Sequence, residues 1–489
     1  MPFSLETALV LTLVVPLLGM VAIWLLDKNP NLREAATITT GAVLFLIVVG
    51  IAGATAGGAR PSLDLVQLLP GFYIRFAVEP LGAMFALIAS GLWIVNSFYS
   101  IGYMRGAKEQ NQTRFYMCFA VAIASALGIA FAGNILTLFI FYEVLTLSTF
   151  PLVTHKGTAA AAKGGRVYLG ILMGTSIGFL LLAVIWTQVV ADTGDFTPGG
   201  ILAGKAEGAV LGALLLLFMF GIGKAALMPF HAWLPNAMVA PTPVSAFLHA
   251  VAVVKAGVFT VLKVAVYIFG VDLLAGMGTA DFVMWAAAFT ILMSSLIAMN
   301  QDNLKARLAY STVSQLSYVT LGAMVATSMG VLGGGLQILM HAFGKMTLFM
   351  CAGAIYVATK KQHVSELDGL GRTMPITFGA FLVGALSIIG LPPLGGAWSK
   401  FYLALGAADA EQLLMIAVLM ISSILNVVYL LPIAIRAFYA GGKPATPQRI
   451  QEAPFFCVAP PVFTAAGCLV LFFAFPAVVD FLQPILETP

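Results

Sequence analysis

The stretch "GIGKAALMPFHAWLP", residues 221–235, lies at the end of a long apolar run. It places Lys224 where a membrane-spanning helix ordinarily carries no charge, and Pro229 follows five residues later. Proline has no N–H, so the carbonyl of Ala225 is predicted to lose its helical hydrogen bond. At membrane depth such a carbonyl is tolerated only inside protein or against water. The stretch therefore predicts a broken helix beside a hydrated interior.

The rest of the chain has the composition of a membrane protein. Hydrophobic residues make up 61% of the 489 residues and charged residues only 9%, whereas soluble domains carry about 25% charged residues. Apolar stretches of about 20 residues, long enough to cross a bilayer, recur from end to end. They predict an all-α polytopic membrane protein with about 14 transmembrane helices. The predicted spans are residues 5–26, 36–54, 80–103, 115–133, 135–154, 166–190, 209–230, 242–268, 279–299, 307–329, 333–358, 376–406, 411–437 and 455–482.

Basic residues in the loops and at the ends of these spans are unevenly divided between the two sides. The side that follows the odd-numbered helices 1, 3, 5, 9, 11 and 13 holds Lys28, Arg33, Arg105, Lys108, Arg114, Lys156, Lys163, Arg166, Lys305, Arg307, Lys360, Lys361, Arg372, Arg436, Lys443 and Arg449. The opposite side holds only Arg60, Arg75 and Lys205. Because cytoplasmic loops are the more basic ones, both termini are predicted on the non-cytoplasmic side of the cell's inner (plasma) membrane.

No cofactor and no metal site is predicted. The four cysteines, Cys118, Cys351, Cys457 and Cys468, lie in or beside apolar segments without Cys-x-x-Cys spacing, and they are interpreted as small buried hydrophobes. The sequence contains no Rossmann glycine fingerprint and no P-loop. Any redox or ATP chemistry is therefore expected to reside in partner subunits.

Five lysines remain, and all fall inside predicted spans: Lys224, Lys255, Lys263, Lys345 and Lys400. A charge at the centre of a spanning helix costs about 2.5–3.5 kcal/mol on insertion scales, so a function is expected for this set. Glu143, in "FIFYEVLTL", is the one acid deep in a span. Since desolvation favours a neutral lysine and a nearby carboxylate favours the charged form, Glu143 and Lys224 are predicted to control a proton together. Lys255 and Lys400 are predicted as further proton-transfer sites, and a structural counter-ion is the alternative role for Glu143.

Further candidates for a secondary relay each have a structural alternative. Lys345 follows His341 by four residues, so the two share a helix face and form either a relay or a polar contact between helices. His249 and His231 are either relay groups or hydrogen-bonded core histidines. Lys263 lies near the end of its helix and is expected to snorkel to the membrane interface.

A second break resembles the first in kind. In "SIIGLPPLGGAWSKFY" the prolines Pro392 and Pro393 are predicted to free the carbonyls of Ile388 and Ile389 just before Lys400. With Pro229, these prolines are the predicted hinges. Paired interrupted helices indicate a repeat-built transporter, and a five-helix unit changes direction on repetition. The predicted division is 1–110 (helices 1–3), 111–270 (first repeat, helices 4–8), 271–440 (second repeat, helices 9–13) and 441–489 (helix 14).

Several motifs resemble those of a known family, the antiporter-like subunits shared by respiratory complex I, Mrp cation/proton antiporters and membrane-bound hydrogenases. They are "FYEVLTLSTFPL", "GKAALMPFHAWLPNAMVAPTPVSAFLHAVAVVKAGVF", "DNLKARLAYSTVSQLSY", "HAFGKMTLFMCAGAI" and "GLPPLGGAWSKFYL". The resemblance implies inverted repeats, discontinuous helices 7 and 12, and proton transfer along a central hydrophilic axis. On that axis Glu143 would be the essential glutamate, Lys224 its partner, Lys255 the central lysine, His341 the connection and Lys400 the terminal site.

The resemblance leaves the parent complex open. Lys400 stands where one class of complex I subunit has glutamate, and the short chain is most similar to the D-type subunit of an Mrp Na⁺/H⁺ antiporter. The alternatives are a proton-pumping subunit of a redox complex, either NADH-quinone oxidoreductase (M-type or N-type) or a membrane hydrogenase, and an inorganic-carbon-uptake relative. The expected partners are other integral membrane subunits, lipid, protons and Na⁺ or K⁺, with no nucleic acid. A purely structural scaffold would not need the buried lysines.

Overall fold

The computed structural model of the chain describes residues 4–69, 71–440 and 449–486. Lys443, which belongs to the predicted cytoplasmic set of basic residues, lies outside the described residues. The amino-terminal part contains two long helices, a β-hairpin and a third helix. These elements are α1 (Leu5–Leu25), α2 (Pro30–Ala56), the antiparallel strands β1 (Ser62–Leu69) and β2 (Phe72–Ala77), and α3 (Pro80–Gly106).

The middle of the chain contains the first broken region. Its helices are α4 (Gln112–Ala130), α5 (Ile135–Val153), α6 (Ala159–Thr175), α7 (Leu181–Ala191), α8 (Gly208–Gly221), α9 (Trp233–Asn236), α10 (Thr242–Phe247), α11 (Val253–Val264) and α12 (Val271–Ala275). One π-helical turn joins α6 to α7, and another, Leu248–Ala252, joins α10 to α11. A third π-helical turn, Ala265–Phe269, extends α11.

The carboxy-terminal part contains the second break. Its helices are α13 (Gly278–Met299), α14 (Leu304–Met324), α15 (Ser328–Thr359), α16 (Pro375–Ile389), α17 (Gly396–Asp409), α18 (Leu413–Tyr439) and α19 (Phe455–Leu482). Short 3₁₀ turns lie at Gly223–Ala225, Ala237–Val239, Val364–Glu366, Leu370–Arg372 and Gln483–Leu486.

Local sequence signals explain where many helices begin. Proline occupies the first position of α2, α3 and α16, where its missing N–H costs no hydrogen bond. Side-chain oxygens accept a backbone N–H from the first turn of several other helices, which is the usual N-cap arrangement. These caps are Ser4, Asn134, Thr158, Asn303 and Thr327.

The chain is a multi-pass membrane protein. Within the described residues, 11 helical segments are long and apolar enough to cross a membrane. The apolar helices α8 and α16 are shorter, and each ends at a break. Segment Thr242–Phe269 is wholly buried within the protein, whereas α1 and α19 expose large apolar side chains such as Leu18 (63%) and Phe473 (69%), as lipid-facing helices do.

The first break does not arise as predicted. Helix α8 ends at Gly221, eight residues before Pro229, so the proline does not remove a helical hydrogen bond from Ala225. Tertiary partners instead replace the helical bonds, because the Trp233 indole donates to the Gly223 carbonyl at 2.9 Å and the Lys224 N–H donates to the Tyr142 hydroxyl at 3.0 Å.

The second break is closer to the prediction. Helix α16 ends at Ile389, and Gly390 takes a left-handed conformation with φ of 91° just before the two prolines. The Ile389 carbonyl accepts a hydrogen bond from the Lys400 ammonium at 2.8 Å. The lysine therefore binds a carbonyl that the broken helix leaves free.

Candidate functional site

Lys224 is enclosed by one turn of α5. Its side chain is fully buried, and its ammonium donates to the Tyr142 carbonyl at 2.8 Å and to Thr146 Oγ1 at 2.6 Å. The same nitrogen lies 3.1 Å from the centre of the Tyr142 ring. The helix break thus places a cation directly against the helix that carries Glu143.

Glu143 lies in that turn of α5 without contacting Lys224. The described residues contain no ion pair between the Glu143 carboxylate and the Lys224 ammonium, and both carboxylate oxygens are buried without a hydrogen-bond partner there. A buried carboxylate without partners is unfavourable in its charged form. The structure therefore places Glu143 and Lys224 close together, but the carboxylate and the ammonium do not touch.

Close packing at this break depends on Gly257 of α11. A Cβ atom at that position would lie 2.7 Å from the Lys224 carbonyl oxygen. We expect Gly257→Val to separate α11 from the break, destabilising the protein by about 1–3 kcal/mol through overpacking. Thermal unfolding of the purified protein in detergent measures this effect. Gly170→Val is the matched control, since a Cβ there meets nothing within 4 Å, and equal unfolding temperatures for the two variants would contradict the prediction.

Lys255 and His341 form a direct pair in the centre of the protein. Lys255 Nζ lies 2.6 Å from His341 Nδ1, and both side chains are buried. A lysine ammonium can only donate, so Nδ1 is the acceptor when Lys255 is charged. His341 Nε2 is buried with no hydrogen-bond partner among the described residues.

Lys345, one helical turn beyond His341, is held by α14. It donates to Ser311 Oγ at 2.6 Å and to the Leu308 carbonyl at 3.2 Å. Ser311 is also hydrogen-bonded to the Tyr429 hydroxyl of α18 at 2.8 Å. The polar contact between helices that the sequence left open is therefore present, and it extends a chain of polar groups from α15 to α18.

Lys400 lies on α17, just after the second break. Besides the Ile389 carbonyl, its ammonium donates to Ser423 Oγ at 2.9 Å, and it lies 5.3 Å from the centre of the Tyr318 ring. Only 7% of Lys400 is exposed. The second broken helix thus positions a buried lysine as the first one does.

A chain of neutral polar side chains ends at Ser399, the residue before Lys400 in the sequence, and the sequence analysis missed it. Ser399 Oγ donates to Gln337 Oε1 at 2.6 Å, and Gln337 Nε2 donates to Gln315 Oε1 at 2.9 Å. All three side chains are buried within apolar helices. The available signal was the presence of two amides, Gln315 and Gln337, in predicted spans, whereas the predictions rested on charged residues and histidines.

The two histidines near the first break differ in their surroundings. His249 is buried in the π-helical turn, and neither ring nitrogen has a hydrogen-bond partner among the described residues, so the hydrogen-bonded core histidine considered above is not found. Its ring lies 5.9 Å from that of Trp233. His231 is partly exposed, and its Nδ1 lies 3.3 Å from the Pro229 carbonyl.

The snorkelling predicted for Lys263 is wrong. This residue is only 1% exposed, and its ammonium lies 2.8 Å from Glu79 Oε1 while donating to the Ala132 carbonyl at 2.7 Å. Glu79 immediately precedes α3, so a search for acids deep in spans missed it. The available signal was that Lys263 lies within a span and had no predicted counter-ion, which calls for an acid such as Glu79 nearby.

Among the described residues, no group of three or more His, Cys, Asp or Glu side chains could hold a metal ion. His155, in the loop after α5, is one of two loop histidines; burial and nearby Arg114 lower its pKa to about 4. It is therefore neutral near pH 7.

Comparison with known proteins identifies the family. Residues 132–426, which include Glu143 and all five buried lysines, match the family described as "NADH:quinone oxidoreductase/Mrp antiporter, TM". The chain belongs to this family. This antiporter-family chain is 30% identical to NADH-quinone oxidoreductase subunit N of Desulforudis audaxviator, over 88% of this chain and 86% of the relative. It is also 30% identical to a longer Na(+)/H(+) antiporter subunit of Alkalihalophilus pseudofirmus, over 88% of this chain but only 56% of that relative.

Solved structures of similar fold come from membrane complexes. A chain of the Mrp complex from Dietzia sp. superposes on this antiporter-family chain with a TM-score of 0.87 at 20% identity, covering 99% of this chain and 100% of that one. A chain of the membrane-bound sulfane sulfur reductase, an archaeal respiratory membrane complex, gives a TM-score of 0.85 at 23% identity, covering 98% of each.

Proposed function

We propose that the chain is a proton-translocating membrane subunit of a multisubunit monovalent cation/proton antiporter, equivalent to the D-type subunit of Mrp complexes. The observation that carries the proposal is the set of buried lysines on the central axis, each bound to hydroxyls, carbonyls or a histidine instead of to a neutralising carboxylate. Such cations inside a membrane protein are expensive and typically mark ion pathways or proton relays. Hydroxyls, carbonyls and a histidine accept a hydrogen bond from the ammonium, but unlike a carboxylate they carry no negative charge that would hold the lysine in its protonated form.

Proton transfer would begin at Glu143 and Lys224. Movement of the unpartnered carboxylate towards the lysine would stabilise the ammonium, and movement away would favour loss of its proton. Lys255 and His341 would carry the proton through the centre, with His249, His231 and Lys345 as secondary relays. Lys400 would be the terminal site. The segment after Gly221 that contains Pro229, and the break at Pro392–Pro393, would act as hinges that admit water.

The proposed architecture has fourteen spans, counting the two broken helices as one span each. Two inverted five-helix repeats, residues 111–270 and 271–440, would follow helices 1–3 and precede helix 14 in 441–489. A buried lysine beside a broken helix in each half supports this division. Both termini would lie outside the cytoplasm, at the plasma membrane, because the basic loops occupy the other side.

A proton-pumping subunit of a redox complex is the second candidate. The observation favouring it is the similarity to subunit N of NADH-quinone oxidoreductase, which spans most of both chains. Lys400 argues only against the class of complex I subunit that has glutamate at this site. In either case other membrane subunits would be the partners, and the transported ions would be protons with or without Na⁺ or K⁺.

Purification of the native complex with identification of its subunits tests the choice. Small hydrophobic Mrp-type subunits are the expected partners. Iron–sulfur or quinone-binding partners would overturn the antiporter assignment in favour of the redox complex. A chain that purifies alone and transports no protons in proteoliposomes would overturn both.

A further inference from the structure

One buried lysine takes no part in the pathway described so far. Among the described residues, Lys263 is the only lysine that forms an ion pair, and its partner is Glu79. The lysine side chain is 1% exposed and the glutamate side chain 14%. The Tyr267 hydroxyl also faces this carboxylate, but within the described part of the chain neither carboxylate oxygen has a well-formed hydrogen bond beyond the contact with the ammonium. Both carboxylate oxygens are themselves buried, and the carboxylate keeps unused hydrogen-bonding capacity.

Lys263 lies on the same helix as the central lysine, Lys255. Lys263 follows Lys255 by eight residues on α11, which corresponds to about 12 Å along the helix axis. The Ala132 carbonyl that accepts its hydrogen bond belongs to the segment bridged to Phe76 of the β-hairpin. The ion pair is therefore displaced from the centre of the protein towards the hairpin side.

A large polar cavity lies on the hairpin side, and neither Glu79 nor Lys263 lines it. Its volume is about 600 Å³, and its lining includes Arg75, Asn134 and Asp195. The next residue, Phe196, places its ring 4.4 Å from the Lys263 ammonium. The partly exposed Phe196 and the short segment from Ala132 to Asn134 thus separate the ion pair from the cavity.

We propose that Glu79 and Lys263 form a proton-release site between the central lysine and this cavity, with Phe196 as its cover. The inference rests on the proposed function. In the release step the Lys263 ammonium gives one proton to the Glu79 carboxylate, leaving a neutral amine and a neutral carboxylic acid. The acid then loses that proton to cavity water and becomes a carboxylate again, and the amine is reprotonated from the Lys255 side.

Stability alone is a weak reason for such a pair. Taking two charges out of water costs several kcal/mol per ion, and well-packed neutral replacements are often no less stable. A lysine can give up its proton when it is buried, whereas arginine remains charged in proteins. Exchange of lysine for arginine therefore separates a structural ion pair from a proton-release site.

The test uses the purified native complex in proteoliposomes, with a pH-sensitive dye inside and a Na⁺ or K⁺ pulse outside. Lys263→Arg is expected to assemble with an unchanged unfolding temperature and to lose about 100-fold or more in proton flux, the range of a lost proton-transfer group. The matched control is Lys205→Arg, at an exposed lysine, which should transport at the wild-type rate. Wild-type flux in an assembled Lys263→Arg complex would overturn the proposal.

A second variant covers the case in which arginine does not fit. The double variant Glu79→Gln/Lys263→Met removes both charges with little change in side-chain size. An assembled but inactive complex supports the release site, and an assembled, active complex overturns it. Absence of flux in the wild-type complex would instead refute the proposed function itself, so the two failures are distinguishable.

Discussion

Lys224→Met is expected to abolish proton transport by the assembled complex while leaving the chain inserted in the membrane. Methionine keeps most of the length of the side chain and removes the ammonium that binds Tyr142 and Thr146. Loss of a positioned proton-transfer group typically costs about 100–10,000-fold in rate. Proton flux in proteoliposomes containing the native complex, normalised to the amount of inserted chain, measures the effect.

Glu143→Gln should give the same loss for a different reason. The amide has the shape of the carboxylate but can neither accept the proton nor stabilise the Lys224 ammonium by its charge. Glu207→Gln is the matched control, because Glu207 is exposed at the start of α8. Wild-type transport in both Lys224→Met and Glu143→Gln would refute a proton relay at the first break.

The second large effect is expected at the central pair. Lys255→Met and His341→Ala each remove one side of a 2.6 Å contact, and either change should interrupt transfer between the two broken helices, again by about 100-fold or more. Because one contact joins them, the double variant should be scarcely slower than either single variant.

Proton flux of the two single variants and the double variant, compared with Lys28→Met at an exposed loop lysine, tests this expectation. Fully additive losses would show that Lys255 and His341 act separately. Undiminished flux in either single variant would remove that residue from the pathway.

Much of the site was visible in the sequence because charges are rare in this chain. Lys224, Lys255, Lys345 and Lys400 were found by locating cations within apolar spans, and all four are buried. Burial was predictable because a spanning segment leaves few positions where a mid-helix charge can reach water. The prediction for Lys263 was wrong for a related reason. A lysine near a helix end can reach the membrane interface only if lipid or water lies beside it, and Lys263 is surrounded by protein.

Partner residues could not be predicted in this way. Tyr142, which contacts Lys224, is 82 residues away in the sequence, and His341, which contacts Lys255, is 86 residues away. Nothing local to either lysine specifies these contacts. The position of the first break was likewise misjudged, because a hydrogen bond from Trp233, ten residues further along, satisfies the backbone at Gly223.

Composition and the positions of the charges were enough to establish that this protein crosses the membrane many times and buries lysines, because a charge in the middle of an apolar span is costly unless protein surrounds it. The three-dimensional packing was needed to learn which group each lysine meets, where each helix ends, and that Glu79 neutralises Lys263. Those outcomes depend on which faces of distant helices pack together, and hydrogen-bond partners are selected by distance in space.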